Sequence, residues 1–106
     1  REKITSALKL VGMEKYKDRL YTELSGGQRQ RVLIAKTLVA TPEFLILDEP
    51  MTGVDRESKE SLFHLLSHIN REHNITILMI THNLEEVEEN VNKVFEIKDE
   101  KIREVK

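Results

Sequence analysis

The chain has no cysteine and no tryptophan, only two prolines and four glycines, and no excess of positive charge. Without cysteine, disulfide staples and thiolate metal centres are excluded, which suits a reducing cytoplasm. Seventeen basic residues stand against nineteen acidic ones, for a net charge of −2. Neither a nucleic-acid-binding surface nor a polybasic lipid anchor is expected from that balance. Long apolar runs are missing too: residues 44–47 and 75–80 fall far short of the ~20 needed to cross a bilayer. The first residues alternate charged and apolar groups and do not form a secretory signal. A start at Arg1 rather than methionine makes a piece of something longer the expectation.

What is present suits a small soluble domain. Hydrophobic residues make up 39% and charged residues 34% of 106 positions, which argues against disorder and for a modest core under a heavily charged exterior. Ile4, Ala7, Leu8 and Val11 recur at i, i+3, i+4 and i+7, the stripe of an amphipathic helix over 2–11 that Gly12 is placed to end. Residues 13–23 read as a second, weaker helical or irregular segment with Tyr16, Leu20 and Tyr21 as contacts. A helix from Ser25 then carries Val32, Leu33, Ala35, Leu38 and Val39 inward until Thr41-Pro42 stops it. Residues 44–47 form an apolar run that reads as a buried, parallel strand. Asp55 caps a helix over 56–72 with Leu62, Leu65, Leu66 and Ile69 as its stripe. Residues 75–80 are a second buried strand ending in Thr81-His82. Asn83 with Glu86 marks a short helix to about 89, and 93–97 pairs with 101–105 as a hairpin whose turn lacks glycine or asparagine. Strands alternating with helices make the fold class α/β, with helical residues 1–40 preceding an α/β part over 41–106.

Chemistry concentrates in two places. Residues 24–31, Leu-Ser-Gly-Gly-Gln-Arg-Gln-Arg, combine a capping box between Ser25 and Gln28 with two glycines in the first helical turn. Gly26 and Gly27 have no Cβ, so a phosphate can approach the free amides of that turn, where the helix dipole favours an anion. A plain well-capped helix is the competing reading. The second place is the carboxyl edge of the strands, where ligands of open α/β sheets bind: Asp48-Glu49 follows the first strand and His82 the second. An acidic pair there suits magnesium plus general-base work, or else merely ends the strand. His64 and His68 lie four apart on one helix, but with no third ligand evident they read as a solvated face. His73 sits at the helix end, where a cation is mildly favoured.

Together these segments resemble the ATP-binding cassette (ABC) ATPases from about residue 11 to the C-terminus. Residues 24–28 match the family's signature motif, residues 44–49 resemble its Walker B segment, residues 52–55 its D-loop, and His82 its switch histidine. The resemblance implies a partial P-loop NTPase sandwich: part of the helical signature subdomain, then the Walker B and switch-histidine strands with flanking helices and a C-terminal hairpin. It implies Asp48 in a magnesium shell, Glu49 as the catalytic base, His82 as the γ-phosphate sensor, and Ser25, Gly26, Gly27, Gln28 and Asp55 as contacts to ATP across a head-to-tail dimer. The D-loop reads Thr-Gly-Val-Asp instead of the commoner Ser-Ala-Leu-Asp, leaving Asp55 intact.

Spacing alone leaves sites within one chain or between two equally open. A helix of about fourteen residues runs ~21 Å from Ser25 and the next strand returns ~13 Å. The G-x-x-x-x-G-K-[ST] loop that cradles phosphates is absent, since no Gly-Lys pair occurs, so the stretch looks like the C-terminal half of an ABC ATPase. What the resemblance implies for the parent protein is the ATP-hydrolysing subunit of a transporter, working with ATP and Mg2+. A second ATPase subunit and membrane permease subunits are its implied partners, and the inner face of the membrane its implied place. The Thr-Gly-Val-Asp and Thr-His-Asn-Leu segments look closest to importers of zinc or manganese. Two rivals are a non-catalytic module that only supplies signature contacts and a soluble ABC ATPase of translation or DNA repair.

Overall fold

Two helix ends show how closely local sequence dictates this chain. Val11 closes the first helix, α1 (Glu2–Leu10), and Gly12 follows it with φ +74°. The Gly12 amide then donates to Lys9 O (3.1 Å) and the Met13 amide to Leu8 O (2.8 Å). This is the glycine-dependent Schellman arrangement, which satisfies carbonyls that a helix end otherwise leaves unpaired. At the other end of the connection Ser25, with extended backbone, opens α2 (Gly26–Leu38) with both halves of the expected capping box. The computed structural model from which these contacts come describes every residue except 1, 17, 19, 20 and 41.

Between α1 and α2 the weak helical segment resolves into two short 3-10 turns, Glu14–Tyr16 and Tyr21–Glu23. Met13 is buried and Tyr16 half-buried there, while the expected contact from Leu20 lies outside the described residues, as does the side chain of Tyr21. The stop assigned to Thr41-Pro42 also falls on an undescribed residue. The helix has already ended at Leu38, three residues before it.

β1 (Phe44–Asp48) and β2 (Thr76–Ile80) pair in parallel, Phe44 opposite Thr76 and Asp48 opposite Ile80. Connecting them is α3 (Arg56–His73), whose cap is Asp55 and whose last turn meets Asn74 in the left-handed conformation that ends helices. Its predicted stripe of Leu62, Leu65, Leu66 and Ile69 is buried throughout. α4 (Leu84–Val87) runs into a 3-10 turn at Glu88–Asn90. The chain closes with an antiparallel hairpin of β3 (Phe95–Lys98) and β4 (Lys101–Glu104). One apolar cluster unites α1, α2, β1 and α3, with Val11, Ile34, Leu45, Leu62 and Ile69 the most completely enclosed.

Four expectations are corrected. The strands are buried on one face only: Leu45 and Leu47 point into the core, while Phe44 and Ile46 are 59% and 61% exposed and Leu78 and Ile80 about half exposed. Helices pack on one side of the β1–β2 pair and no described element lies on the other, so an apolar run long enough for two buried faces covers only one. In α2 the inward residue is Ile34, fully buried, rather than Leu33, which is exposed. The helical period of 3.6 places 27, 34, 35 and 38 on one line and turns 33 away from it. Ile4 likewise lies at the free end of the α1 stripe and is exposed. Finally, Asn83 makes no side-chain cap to α4. Its own amide donates instead to Thr81 Oγ1 (3.0 Å), so a local turn replaces the predicted box, and the Glu86 side chain lies outside the described residues.

Candidate functional site

The carboxyl edge of the parallel pair brings together the groups expected there. β1 ends at Asp48, and the next amide, that of Glu49, donates to Ile80 O at 2.7 Å, holding the two strand ends in register. Glu49 itself adopts φ +49°, a left-handed conformation uncommon for a residue with a side chain and one that collects at functional sites. That turn aims its carboxylate across at β2's exit. Glu49 Oε1 accepts the backbone N–H of His82 at 2.9 Å and lies 2.7 Å from its Nδ1. An ionised carboxylate only accepts, so the ring nitrogen that faces it, Nδ1, carries a hydrogen, and Nε2 faces outward. The His82 side chain is 96% exposed and that of Glu49 35%, leaving both open to a ligand from solvent.

Asp48 sits exposed beside them. Among the described residues no group of three or more His, Asp or Glu side chains is arranged to hold a metal ion. A single carboxylate at this edge fits magnesium, which keeps most of its waters and shares its shell with phosphate oxygens. His64 and His68 stay exposed, as expected for a solvated face. His68 meets the His73 ring edge-on, with centroids 5.5 Å apart.

The second cluster stands at the start of α2. The Ser25 amide donates to Gln28 Oε1 (2.9 Å) and the Gln28 amide to Ser25 Oγ (3.1 Å). Arg29 N–H goes to Ser25 O (2.9 Å), so of the four amides opening the helix those of Gly26 and Gly27 are left for an anion. The glycines also answer a need that sequence did not show. A Cβ on Gly26 would lie 2.2 Å from Gly53 O, and one on Gly27 would lie 3.0 Å from Ser58 Cβ. The side on which Gly26 lacks a Cβ is therefore filled by the chain's own 51–55 loop, which comes from the Glu49 turn. Thr52 N–H to Glu49 O (3.3 Å) and Val54 N–H to Met51 O (3.1 Å) shape that loop, and Gly53 takes φ +78° within it.

At the loop's end Asp55 Oδ2 accepts the Ser58 amide at 3.1 Å and caps α3. Hydrogen bonds from the Ser58 side chain and amide favour the charged form, holding the Asp55 carboxyl below the usual carboxylate range. Sequence reasoning therefore found both clusters and the loop at 52–55, but not that this loop packs on Gly26 and joins them, and it missed Arg31, which bridges three elements. The spacing of Arg31 four residues after Gly27, on one helix face, was the available signal.

Arrangement and comparison agree. A family model described as "ABC transporter" matches residues 1–52. The zinc uptake system ATP-binding protein ZurA of Listeria innocua is 50% identical over 97 residues, 92% of this chain and 38% of that protein. A methionine import ATP-binding protein, MetN 1 of Shouchella clausii, is 44% identical over 94 residues, 89% of this chain and 27% of that protein. Among solved structures, an inward-facing metal-chelate type ABC transporter superposes with a TM-score of 0.91 at 27% identity, over 98% of this chain and 41% of its own. A bacterial ABC transporter cassette solved as a dimer gives a TM-score of 0.80 at 29% identity, over 99% of this chain and 46% of its own. The chain thus spans less than half the length of each of these relatives. With signature helix, acidic strand end and strand-end histidine in the family's order and in the family's fold, the chain belongs to the ABC transporter ATPases.

Proposed function

We propose that the protein to which this chain belongs is the ATP-hydrolysing subunit of an ABC transporter that imports metal ions such as zinc or manganese. The observation that carries the enzymatic part is the Glu49–His82 contact at the ends of two parallel strands. A carboxylate held by a backbone amide and an imidazole is positioned to order and deprotonate a water, and the outward Nε2, when it carries a hydrogen as well, can donate to a phosphate oxygen. Asp48 would share magnesium with ATP, and that ion would neutralise charge on the phosphates. The Gly26 and Gly27 amides with Ser25 would cover phosphates held by a second ATPase subunit, with Asp55 steadying the neighbouring loop. Residues 1–40 then form the signature-bearing helical portion and 41–106 the strand-based portion.

Among the described residues no helix is long and apolar enough to span a membrane. We assign coupling to transport to separate permease subunits, as partners of an ABC transporter ATPase, which would hold the protein at the inner membrane face. The 50%-identical zinc relative favours a metal cargo, and the 44%-identical methionine relative supports methionine as the second reading.

The natural-length protein should hydrolyse Mg-ATP, and Glu49→Gln should retain ATP while losing turnover. Normal hydrolysis by that variant would remove Glu49 from its role. Cells lacking the gene should fail under zinc or manganese limitation, and failure only under methionine limitation would move the cargo to the second reading.

A further inference from the structure

We infer that Arg31 is a positioning residue that locks the signature helix to the loop and helix carrying Asp55, so that α2, the 51–55 loop and the start of α3 move as one body. The half-buried Arg31 guanidinium donates through Nη1 to Val11 O at 2.9 Å and through Nη2 to Ser61 Oγ. Val11 is the fully buried residue that closes α1, so its carbonyl belongs to the set that a helix end leaves unpaired, at the negative pole of that helix. Ser61 lies in the second turn of α3. One side chain thus joins three helices, across separations of 20 and 30 residues.

The contact is the last rung of a seam. Gly26 meets Gly53 O, Gly27 meets Ser58, and Arg31 meets Ser61. Gly27 and Arg31 are four apart on α2, and Ser58 and Ser61 three apart on α3, so each set shares a helix face. Gly26 tolerates nothing larger, because a Cβ there would lie 2.2 Å from Gly53 O, while a Cβ on Gly27, 3.0 Å from Ser58 Cβ, would need that side chain to give way. Close approach there leaves α2 no room to slide along α3, but small residues supply little adhesion of their own. Arg31 supplies it, with a planar fork that reaches two acceptors in fixed directions. The consequence is that a displacement of the Ser25–Gln28 turn carries the 51–55 loop with it, and through that loop reaches the Glu49 turn.

The test uses the natural-length protein with Arg31→Ala, Arg31→Lys and Ser61→Ala, in two arms. In the first, amide hydrogen exchange is followed at Thr52 and Val54, whose N–H groups are bonded within the loop. Releasing the seam should raise their exchange about tenfold in Arg31→Ala while β1 and β2 keep their protection. Unchanged exchange at those two amides, or equal acceleration across the whole protein, overturns the inference. The second arm rests on the ATPase reading: kcat for Mg-ATP should fall about tenfold in Arg31→Ala with KM nearly constant, since misplacing a catalytic surface costs turnover more than binding. Arg31→Lys, which reaches one acceptor but not both, should recover only part, and Ser61→Ala should show a smaller loss of the same kind. A KM effect with kcat preserved would also overturn it. If the wild-type protein hydrolyses no ATP, the functional reading fails while the exchange arm still decides the role of Arg31.

Discussion

Ser25 and Gln28 illustrate what one residue pair can fix. Each side chain satisfies the other's amide, so removing the Ser25 hydroxyl should cost about 1 kcal/mol of helix stability in addition to any effect on phosphate contact. Urea melts of Ser25→Ala measure the first part, and Ser25→Asp, which also caps, should restore stability without restoring a site for an anion. Asp55 adds a pH dependence of known sign. Its folded-state pKa is lowered by Ser58, so its cap stabilises the protein above the ordinary carboxylate pKa and loses that effect as pH falls through the folded value. Melting temperatures of wild type and Asp55→Asn should therefore differ near neutrality, begin to converge below about pH 4, the usual carboxylate range, and meet only once pH has fallen past the lowered folded value. A difference that stays constant with pH would locate the effect elsewhere. Glu49 represents the opposite case at this scale: no local signal announces that it takes a positive φ, because the conformation is imposed by strand register and by His82.

Among the elements, α3 was the most legible. Its acidic cap and its stripe at 62, 65, 66 and 69 were readable because a helix with one buried face writes a strong period into its sequence. Leu62→Ala should accordingly cost about 2 to 5 kcal/mol in urea unfolding, the range for emptying an enclosed leucine site. The hairpin was legible in position but not in its turn. Asp99 and Glu100 both adopt positive φ, as a two-residue turn between right-twisted strands requires; aspartate tolerates that conformation, but Glu100 is not a residue that does so easily. Glu100→Gly should relieve about 1 kcal/mol of left-handed strain and raise the hairpin's protection from amide exchange. Leu33 and Ile34 mark the limit of reading by period: adjacent apolar residues near the edge of a stripe are ranked only by the neighbour that arrives against them.

The molecule as a whole is longer than a closed domain of its size. Its radius of gyration is 14.6 Å, with extents of 45 × 27 × 22 Å, against about 13 Å for a compact chain of 106 residues. Phe44, Ile46, Leu78 and Ile80 form an open apolar face on the parallel pair. Taken alone, the 106-residue chain should self-associate through surfaces of this kind. Sedimentation should show that association weakening when Ile46 and Leu78 are changed to lysine, and a wild-type monomer at high concentration would refute it. The same isolated chain should bind Mg-ATP no better than weakly in calorimetric titration, because the amides of Gly26 and Gly27 offer one side of a phosphate site and no glycine-rich loop with a lysine supplies the other.

By itself the sequence determined α1, α2 and α3 with the caps at Gly12, Ser25 and Asp55, the two parallel strands, and the acidic and imidazole groups at the strand ends. All of these follow from interactions within a few residues or from one periodic pattern. It also carried the motif order by which the family is recognised. Only the tertiary structure decided which strand face is covered, that Glu49 turns to bind His82 33 residues away, that Gly26 makes room for Gly53, and that Arg31 ties three helices together. Those contacts join residues distant along the chain. Their distances depend on how complete elements pack, and nothing in the local sequence around either partner encodes them.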